Sequence, residues 1–502
     1  MGIHRKCLCG EKENMKRIIL FVLLASCSID AQANKSTHQS DDQFYPRNTQ
    51  IIKQTAIPIS VHKNNSTHSS KLKKTVFGFL PWWEYAAGSH QNIRFNLLTH
   101  IAISFFDTDG DGNLIEPQAW PWNDLINNAK ANNVKLIMVV SNFTSGQIHK
   151  LLTNQTSKQN LFNNILSKVK AYGFDGVNID FENLKIGDEG NIINSFMNSL
   201  TAFIKTNKPL AEISFDSPWT NFSGWDFKGL SEACDYLFIM GYDFYGSWSE
   251  TTGPSSPLTG NNFSLTKSLT DDYKYVSPEK LILGVPYYGN YWKTNSKNPY
   301  TKVAPFDSTK TVNNWVKPSL RYNEIIPQYS SKEKMLDGVS KTPWLRWGQD
   351  TMWNQIWYDD ENSIGLKYDL AIGKNLKGIG IWALGYDNGR SELWDLIERK
   401  FFQPTNVEAG INTIPYNFEL HQNYPNPFNP ETVIRYQLAV SSHVSLTIHD
   451  ILGRELAVLV NEYQQAGQYV ETFHLTSLPS GVYIYTLQTD QSTDTKKMII
   501  LK

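Results

Sequence analysis

At 502 residues the chain has room for about three domains, or for one large and one small. Its 47 lysines and arginines nearly balance 48 aspartates and glutamates, with no long block of either sign, which argues against a nucleic-acid binder. A chain that is 40% hydrophobic and 19% charged can build a sizeable core, so wholesale disorder is excluded. The aromatic content of 13% suits a sugar-binding cleft, although most Trp in any protein is simply buried.

The first element is Met15-Lys16-Arg17 followed by the apolar run Ile18–Leu24, the basic start and short core of a secretory signal. Residues 1–33 are read as that signal, with Met15 an alternative start. Two processing sites compete. Ala31-Gln32-Ala33 fits ordinary signal peptidase and is favoured; Leu24-Ala25-Ser26-Cys27 resembles a lipoprotein box that would acylate Cys27. Cys7, Cys9 and Cys27 lie in or before this segment, so Cys234 is left alone and neither an intrachain disulfide nor a Cys/His metal site is expected. Residues 34–74, rich in Ser, Asn, Gln, Thr and Lys, read as a flexible linker.

From 75 to 402, eight short β-branched or aromatic runs alternate with helix-like stretches. They are Val76–Leu80, Thr99–Phe105, Val134–Val140, Phe174–Phe181, Glu212–Phe215, Tyr236–Gly241, Leu281–Pro286 and Gly378–Trp382. This pattern predicts an α/β fold, a (β/α)8 TIM barrel. The gap of about 90 residues before the last run exceeds one helix, so a small α+β insertion is expected around Lys293–Asp350. Asp107-x-Asp109-x-Asp111-Gly112 imitates a calcium loop, but Gln118 stands where the bidentate Glu belongs, and a plain Asp/Gly turn is the better reading.

The chemistry concentrates in the fourth run. Side chains alternate along a strand, so Asn178, Asp180 and Glu182 share one face while Val177, Ile179 and Phe181 face the helices. Three polar residues on the inner face of a barrel strand carry a large desolvation cost, which marks a functional row. Glu182, last in the row, emerges at the C-terminal mouth, where barrel enzymes keep their active sites. Close carboxylates disfavour joint ionisation, so one of them should remain a protonated acid.

This row resembles the D-G-x-D-x-D-x-E signature of family-18 glycoside hydrolases. Met240-Gly241-Tyr242-Asp243, Gly284-Val285-Pro286-Tyr287-Tyr288-Gly289 and Gly380-Ile381-Trp382 resemble the family's sixth-, seventh- and eighth-strand motifs, in order. The resemblance implies a (β/α)8 barrel and a chitinase-like glycosidase with substrate-assisted, retaining chemistry. Glu182 is then the acid and base, Asp180 orients the substrate acetamide, Tyr242 hydrogen-bonds its carbonyl and Asp243 helps hold the distorted sugar. Trp382 stacks beneath the −1 sugar, and Asn178, Met240 and Trp83 join it as substrate-binding residues. For Trp82, Trp83 and Tyr85 a sugar platform and buried packing compete, as they do for Trp248. One departure stands out: Asn178 replaces the second Asp of the signature, and it can hydrogen-bond Asp180 but cannot take up charge. "GVNIDFENL" leans towards the branch acting on spore peptidoglycan, "MGYDFYGSWSETTGPSSPL" towards chitinases. Chitin-type substrates rank first, peptidoglycan second, and a non-catalytic lectin last because the acid Glu182 is intact.

The last element begins at Asn423-Tyr424-Pro425-Asn426-Pro427-Phe428-Asn429-Pro430, which cannot be helix. Alternating runs Val433–Leu438, Val444–Ile448 and Val482–Leu487, punctuated by Gly453, Gly467 and Gly481, predict a small all-β sandwich over 418–502 after a linker at 403–417. "NYPNPFNPETVIRYQL", "LTIHDILGRELAVLV", "AGQYVETFHL", "LPSGVYIYTL" and "KKMIILK" resemble the C-terminal sorting domain of the type IX secretion system. That resemblance implies export through both membranes of a Gram-negative cell, to the surface or the medium, with the secretion machinery as a partner. A monomer is expected, and no metal or organic cofactor is implied.

Overall fold

The computed structural model describes residues 36–44, 71–303, 319–350, 352–403, 418–423, 426–428, 431–474 and 478–501. The signal segment 1–33, with Met15 and Cys27, and residues 404–417 lie outside the described residues. Contacts divide the described residues into two units, one reaching to Gln403 and the other beginning at Phe418. Among the described residues no helix is long and apolar enough to cross a membrane.

Eight parallel strands form the first unit's core: β1 (Thr75–Pro81), β2 (His100–Thr108), β3 (Lys135–Asn142), β4 (Gly176–Phe181), β5 (Glu212–Pro218), β6 (Tyr236–Met240), β7 (Leu281–Pro286) and β8 (Gly378–Trp382). Each pairs with the next, and β1 pairs with both β2 and β8, so the sheet closes into a barrel. The expected TIM barrel is therefore present, with helices between the strands. Its interior is aromatic: Phe79 meets Phe77 and Phe238 at ring separations of 5.2 and 4.8 Å. Gly380 makes room for that column, because a Cβ there would come within 1.9 Å of the Phe238 ring. On the outer side, Phe181 packs on Phe196 of the helix Asn191–Asn207, as the alternation of β4 requires.

The insertion between β7 and β8 is larger than the sequence suggested. A five-stranded antiparallel sheet runs Leu320–Arg321, Tyr288–Thr294, Met352–Tyr358, Pro343–Gln349, Glu333–Leu336 in spatial order, with the helix Tyr322–Tyr329. It starts at Tyr288 and ends at Tyr358, rather than at 293 and 350, because Gly289 pairs with Tyr358 and the ladder continues to Thr294 and Trp353. A buried ion pair between Arg321 and Glu84 (2.6 Å) ties it to the helix Trp82–Ala87 that follows β1.

Part of the expected linker is ordered. Thr37–Phe44 forms a helix, and Lys71–Leu72 pairs with Phe402–Gln403. The sequence THQSDDQF has no apolar stripe, and eight residues are too few for a helix to hold by itself in water. Its order comes from the barrel mouth, where Thr37, His38 and Asp41 are buried.

The second unit is all β, as expected. One sheet orders Glu419–Leu420, Glu431–Leu438 and Gly467–His474; the other orders Glu455–Gln464, Ser442–Asp450, Gly481–Gln488 and Thr493–Ile500. Alternate residues Val444, Leu446 and Ile448 meet Tyr485, Leu487 and Met498 in its core. Gly453 takes φ +79° in the turn ahead of Glu455–Gln464, a conformation glycine adopts without strain.

Candidate active site

The inward row of β4 lies at the C-terminal end of the barrel. Asn178 and Asp180 are fully buried and Glu182 is 9% exposed. Burial first, and then the charge of Asp180, raise the Glu182 pKa above the ordinary carboxylate value. Opposition from His38 and Ser36 is weaker. A carboxyl held protonated next to a second carboxyl is what a general acid needs.

Tyr242 and Asp243 follow β6, and Trp382 ends β8. Tyr242 is buried, and burial followed by the charge of Asp216 keeps it a neutral hydroxyl. The Tyr288 hydroxyl donates to Asp243, whose pKa is raised by burial despite that hydrogen bond. The Trp382 ring stacks at 5.9 Å on Phe105, which keeps it flat against the barrel end. Asp180, Glu182, Tyr242 and Trp382 are thus brought around one small volume, as four contacts of a single side chain show. The His38 ring sits 3.7 Å from the Trp382 ring centre, with Nδ1 3.0 Å from Asp180 and 3.3 Å from Glu182, and Nε2 2.7 Å from the Tyr242 hydroxyl.

Two other expected residues sit differently. Met240 is partly buried at the end of β6, on the face shared with Phe238, and so at the rim of the barrel interior. Trp83 is fully buried in the helix after β1, edge-on to Trp382 at 6.5 Å, and supports that ring from behind. Tyr85 stacks on Trp122 at 4.3 Å and donates to Asp124, outside this group. Trp248 is partly buried in the loop after β6, against Gly246. The Asp109 carboxylate accepts from the backbone of Asp111 and Asn113, forming the expected Asp/Gly turn.

Asn178 does not serve Asp180 as expected. Its amide donates to Ser214 (3.1 Å) and Asp216 (2.8 Å) on β5. Both amide hydrogens are then committed, and the remaining oxygen is an acceptor that an ionised carboxylate cannot use. Asp216 is the residue the sequence reading missed. It is buried, and its pKa is raised well above the ordinary range by burial and then by the charge of Asp180. One ligand atom each of Asp216, Asp180 and His38 lies within 4.8 Å of the others. The signal was the alternation Ser214, Asp216 within "ISFDSPW", two polar side chains sharing one face of a barrel strand.

A closed βα-barrel whose fourth strand delivers paired carboxylates to the C-terminal mouth is the architecture of a barrel glycoside hydrolase. The chain belongs to glycosyl hydrolase family 18, whose model matches residues 74–387. Residues 422–501 match the secretion system C-terminal sorting domain, which marks the protein for export to the cell surface or the medium. Among curated proteins it is similar to a Bacillus subtilis protein named as a sporulation-specific glycosylase, YdhD, with 30% identity over 280 residues, 53% of this chain and 60% of that one. The match thus spans less than two thirds of that relative's length. Human di-N-acetylchitobiase is 27% identical over 277 residues, 47% of this chain and 67% of that one. Among solved structures, the family-18 chitinase of Cycas revoluta in complex with (GlcNAc)3 superposes with a TM-score of 0.56 at 19% identity. That match covers 65% of this chain and 99% of that one, and shows the shared fold.

Proposed function

We propose that the protein hydrolyses β-1,4 bonds on the reducing side of N-acetylglucosamine in an extracellular polysaccharide, chitin or its oligomers first, with retention of configuration. The observation that carries this reading is the flat slot over Trp382, edged by Asp180 on one side and the Tyr242 hydroxyl on the other, with the Glu182 carboxyl beside it. An acetamide fits such a slot: Asp180 accepts its N–H, Tyr242 donates to its carbonyl oxygen, and Trp382 meets its methyl group and the sugar ring.

In the first step Glu182 gives its proton to the glycosidic oxygen, and the bond from that oxygen to the anomeric carbon breaks. The acetamide oxygen bonds to the same carbon, forming a cyclic oxazolinium ion that Asp180 stabilises. In the second step Glu182 takes a proton from water as the water oxygen attacks the anomeric carbon and the ring reopens. Glu182 ends protonated, as it began. Asp216 is a buried carboxyl that can hold the proton Asn178 cannot, one strand away from the position the signature would use, and so keeps the charge beside Asp180 low.

Peptidoglycan is the second reading, favoured by the likeness of "GVNIDFENL" to the family branch acting on spore peptidoglycan. The test is mass spectrometry of products from chitohexaose and, separately, from purified peptidoglycan, with wild type and Glu182→Gln. N-acetylglucosamine oligomers from the first substrate alone support the chitinase reading; muropeptides move the protein to cell-wall turnover. In either case Glu182→Gln should lower turnover by roughly 10²–10⁴-fold while binding persists. Binding without hydrolysis by the wild type would establish a lectin instead.

A further inference from the structure

The active-site volume holds part of the protein's own chain. Ser36 caps the helix Thr37–Phe44, its hydroxyl accepting from the Gln39 amide and also bonding Glu182. The free N–H of Thr37, at the helix N-terminus, donates to Asp243 at 2.6 Å, and the Thr37 hydroxyl donates to the other oxygen of that carboxylate, also at 2.6 Å. One turn on, Asp41 accepts from Ser319 (2.8 Å) and Tyr386 (2.6 Å), with Arg321 nearby. His38 fills the slot over Trp382 and is fully buried.

We infer that residues Ser36–Asp41 are an intramolecular ligand of the catalytic cleft, which hold the exported enzyme inhibited by seating the His38 imidazole where the −1 acetamide must bind. The inference rests on the proposed function for the identity of the excluded substrate, but the docking itself rests on the contacts alone. Their chemistry is complementary. The cleft gathers Asp180, Glu182, Asp216 and Asp243, whereas the segment presents an imidazole and a helix N-terminus, both positive when the ring is protonated. A protonated imidazole is also a flat, five-membered cation, and it resembles in shape and charge the oxazolinium ring that the proposed reaction forms in the same slot. Both ring nitrogens then donate, to Asp180 and to the Tyr242 oxygen, as the distances allow.

The contact is pH-dependent in a definite direction. Burial alone would lower the His38 pKa, but the charge of Asp180 and hydrogen bonds to Asp180 and Glu182 outweigh it and hold the pKa well above the ordinary imidazole value of 6.5. The groups facing His38 are Asp180 and Glu182 from β4, Asp216 from β5, and Tyr242 and Asp243 after β6. A group whose pKa is raised on docking binds best below its free value, about 6.5, and its advantage is lost as pH rises through the docked value. Inhibition is therefore strongest in acid and relaxes in alkali.

The test compares the full chain with its His38→Ala variant, on chitohexaose at pH 5.5 and at pH 8.5, with His ring resonances followed by NMR. A ligand that merely competes taxes KM and leaves kcat alone. If the open state is a tenth of the population or less, His38→Ala lowers KM by about tenfold or more at pH 5.5. The gap narrows at pH 8.5. The resonance missing from the variant is shifted by the Trp382 ring in the wild type and does not titrate near 6.5. Equal KM values with that resonance shifted would show docking without inhibition, and an unshifted resonance titrating near 6.5 would show no docking; either overturns the inference. A shifted resonance in the wild type, with no cleavage by either the wild type or His38→Ala, would sink the proposed function while the docking stands.

Discussion

Removing the acetamide from the substrate separates the two ways a carboxylate pair can give retention. Asp180 and Glu182 both lie within 3.3 Å of one His38 nitrogen, so they are close together. Enzymes that use a carboxylate nucleophile also place their pair near, about 5–5.5 Å apart. Separation alone therefore does not choose the nucleophile. On the proposed substrate-assisted reading, the position of Asp180 opposite Tyr242 across the Trp382 slot does, because it would set Asp180 beside the acetamide rather than in its path. An intramolecular nucleophile so oriented is worth about 7–11 kcal/mol of barrier, and its absence should abolish detectable turnover. Binding loses less, since the two acetamide hydrogen bonds contribute about 1–3 kcal/mol together, or roughly 5- to 150-fold in affinity. The assay is single-turnover mass spectrometry with chitotetraose and its fully de-N-acetylated counterpart, with affinities measured on Glu182→Gln. Hydrolysis of the two tetramers within about tenfold, at saturation, would refute the reasoning and make Asp180 the nucleophile.

Two further variants probe buried carboxyls. Asp216→Asn keeps an acceptor for the Asn178 amide and should leave stability unchanged while lowering kcat, and Asn178→Asp in the same chain should restore it; full activity of Asp216→Asn, measured by initial rates, would mean the carboxyl only fills space. Asp216→Leu orphans one hydrogen of the Asn178 amide, the other staying on Ser214, and should cost about 1–3 kcal/mol in urea unfolding. Burial raises the Asp387 pKa to about 6 although Trp394 donates to it at 2.7 Å. Because the folded state binds that proton more tightly, stability is greatest below the ordinary carboxylate pKa and falls as pH rises through about 6. Asp387→Asn retains an acceptor for Trp394 and should raise stability at pH 8 by up to ~3 kcal/mol, with no gain at pH 4; equal thermal shifts at both pH values would contradict this.

The sequence by itself determined the barrel and its inward polar row. Strand periodicity is local, so Asn178, Asp180 and Glu182 share a face in any fold that keeps 176–181 extended, and eight such runs separated by helices close in one dominant way. The two-sheet nature of the C-terminal unit was legible for the same reason, although the strands Glu455–Gln464, Gly467–His474 and Thr493–Ile500 were not picked out. Only tertiary structure decided which residues meet across strands. Asn178 faces Ser214 through the β4–β5 register, and that register, rather than any spacing within either strand, makes Asp216 its partner instead of Asp180. The insertion's limits followed from antiparallel pairing between Tyr288–Thr294 and Met352–Tyr358, which are far apart in sequence. The helix Thr37–Phe44 was least legible of all. A short polar segment has no amphipathic period to announce it, and its structure is induced by four carboxyls and a tryptophan that the barrel assembles from β4, β5, β8 and the turn after β6.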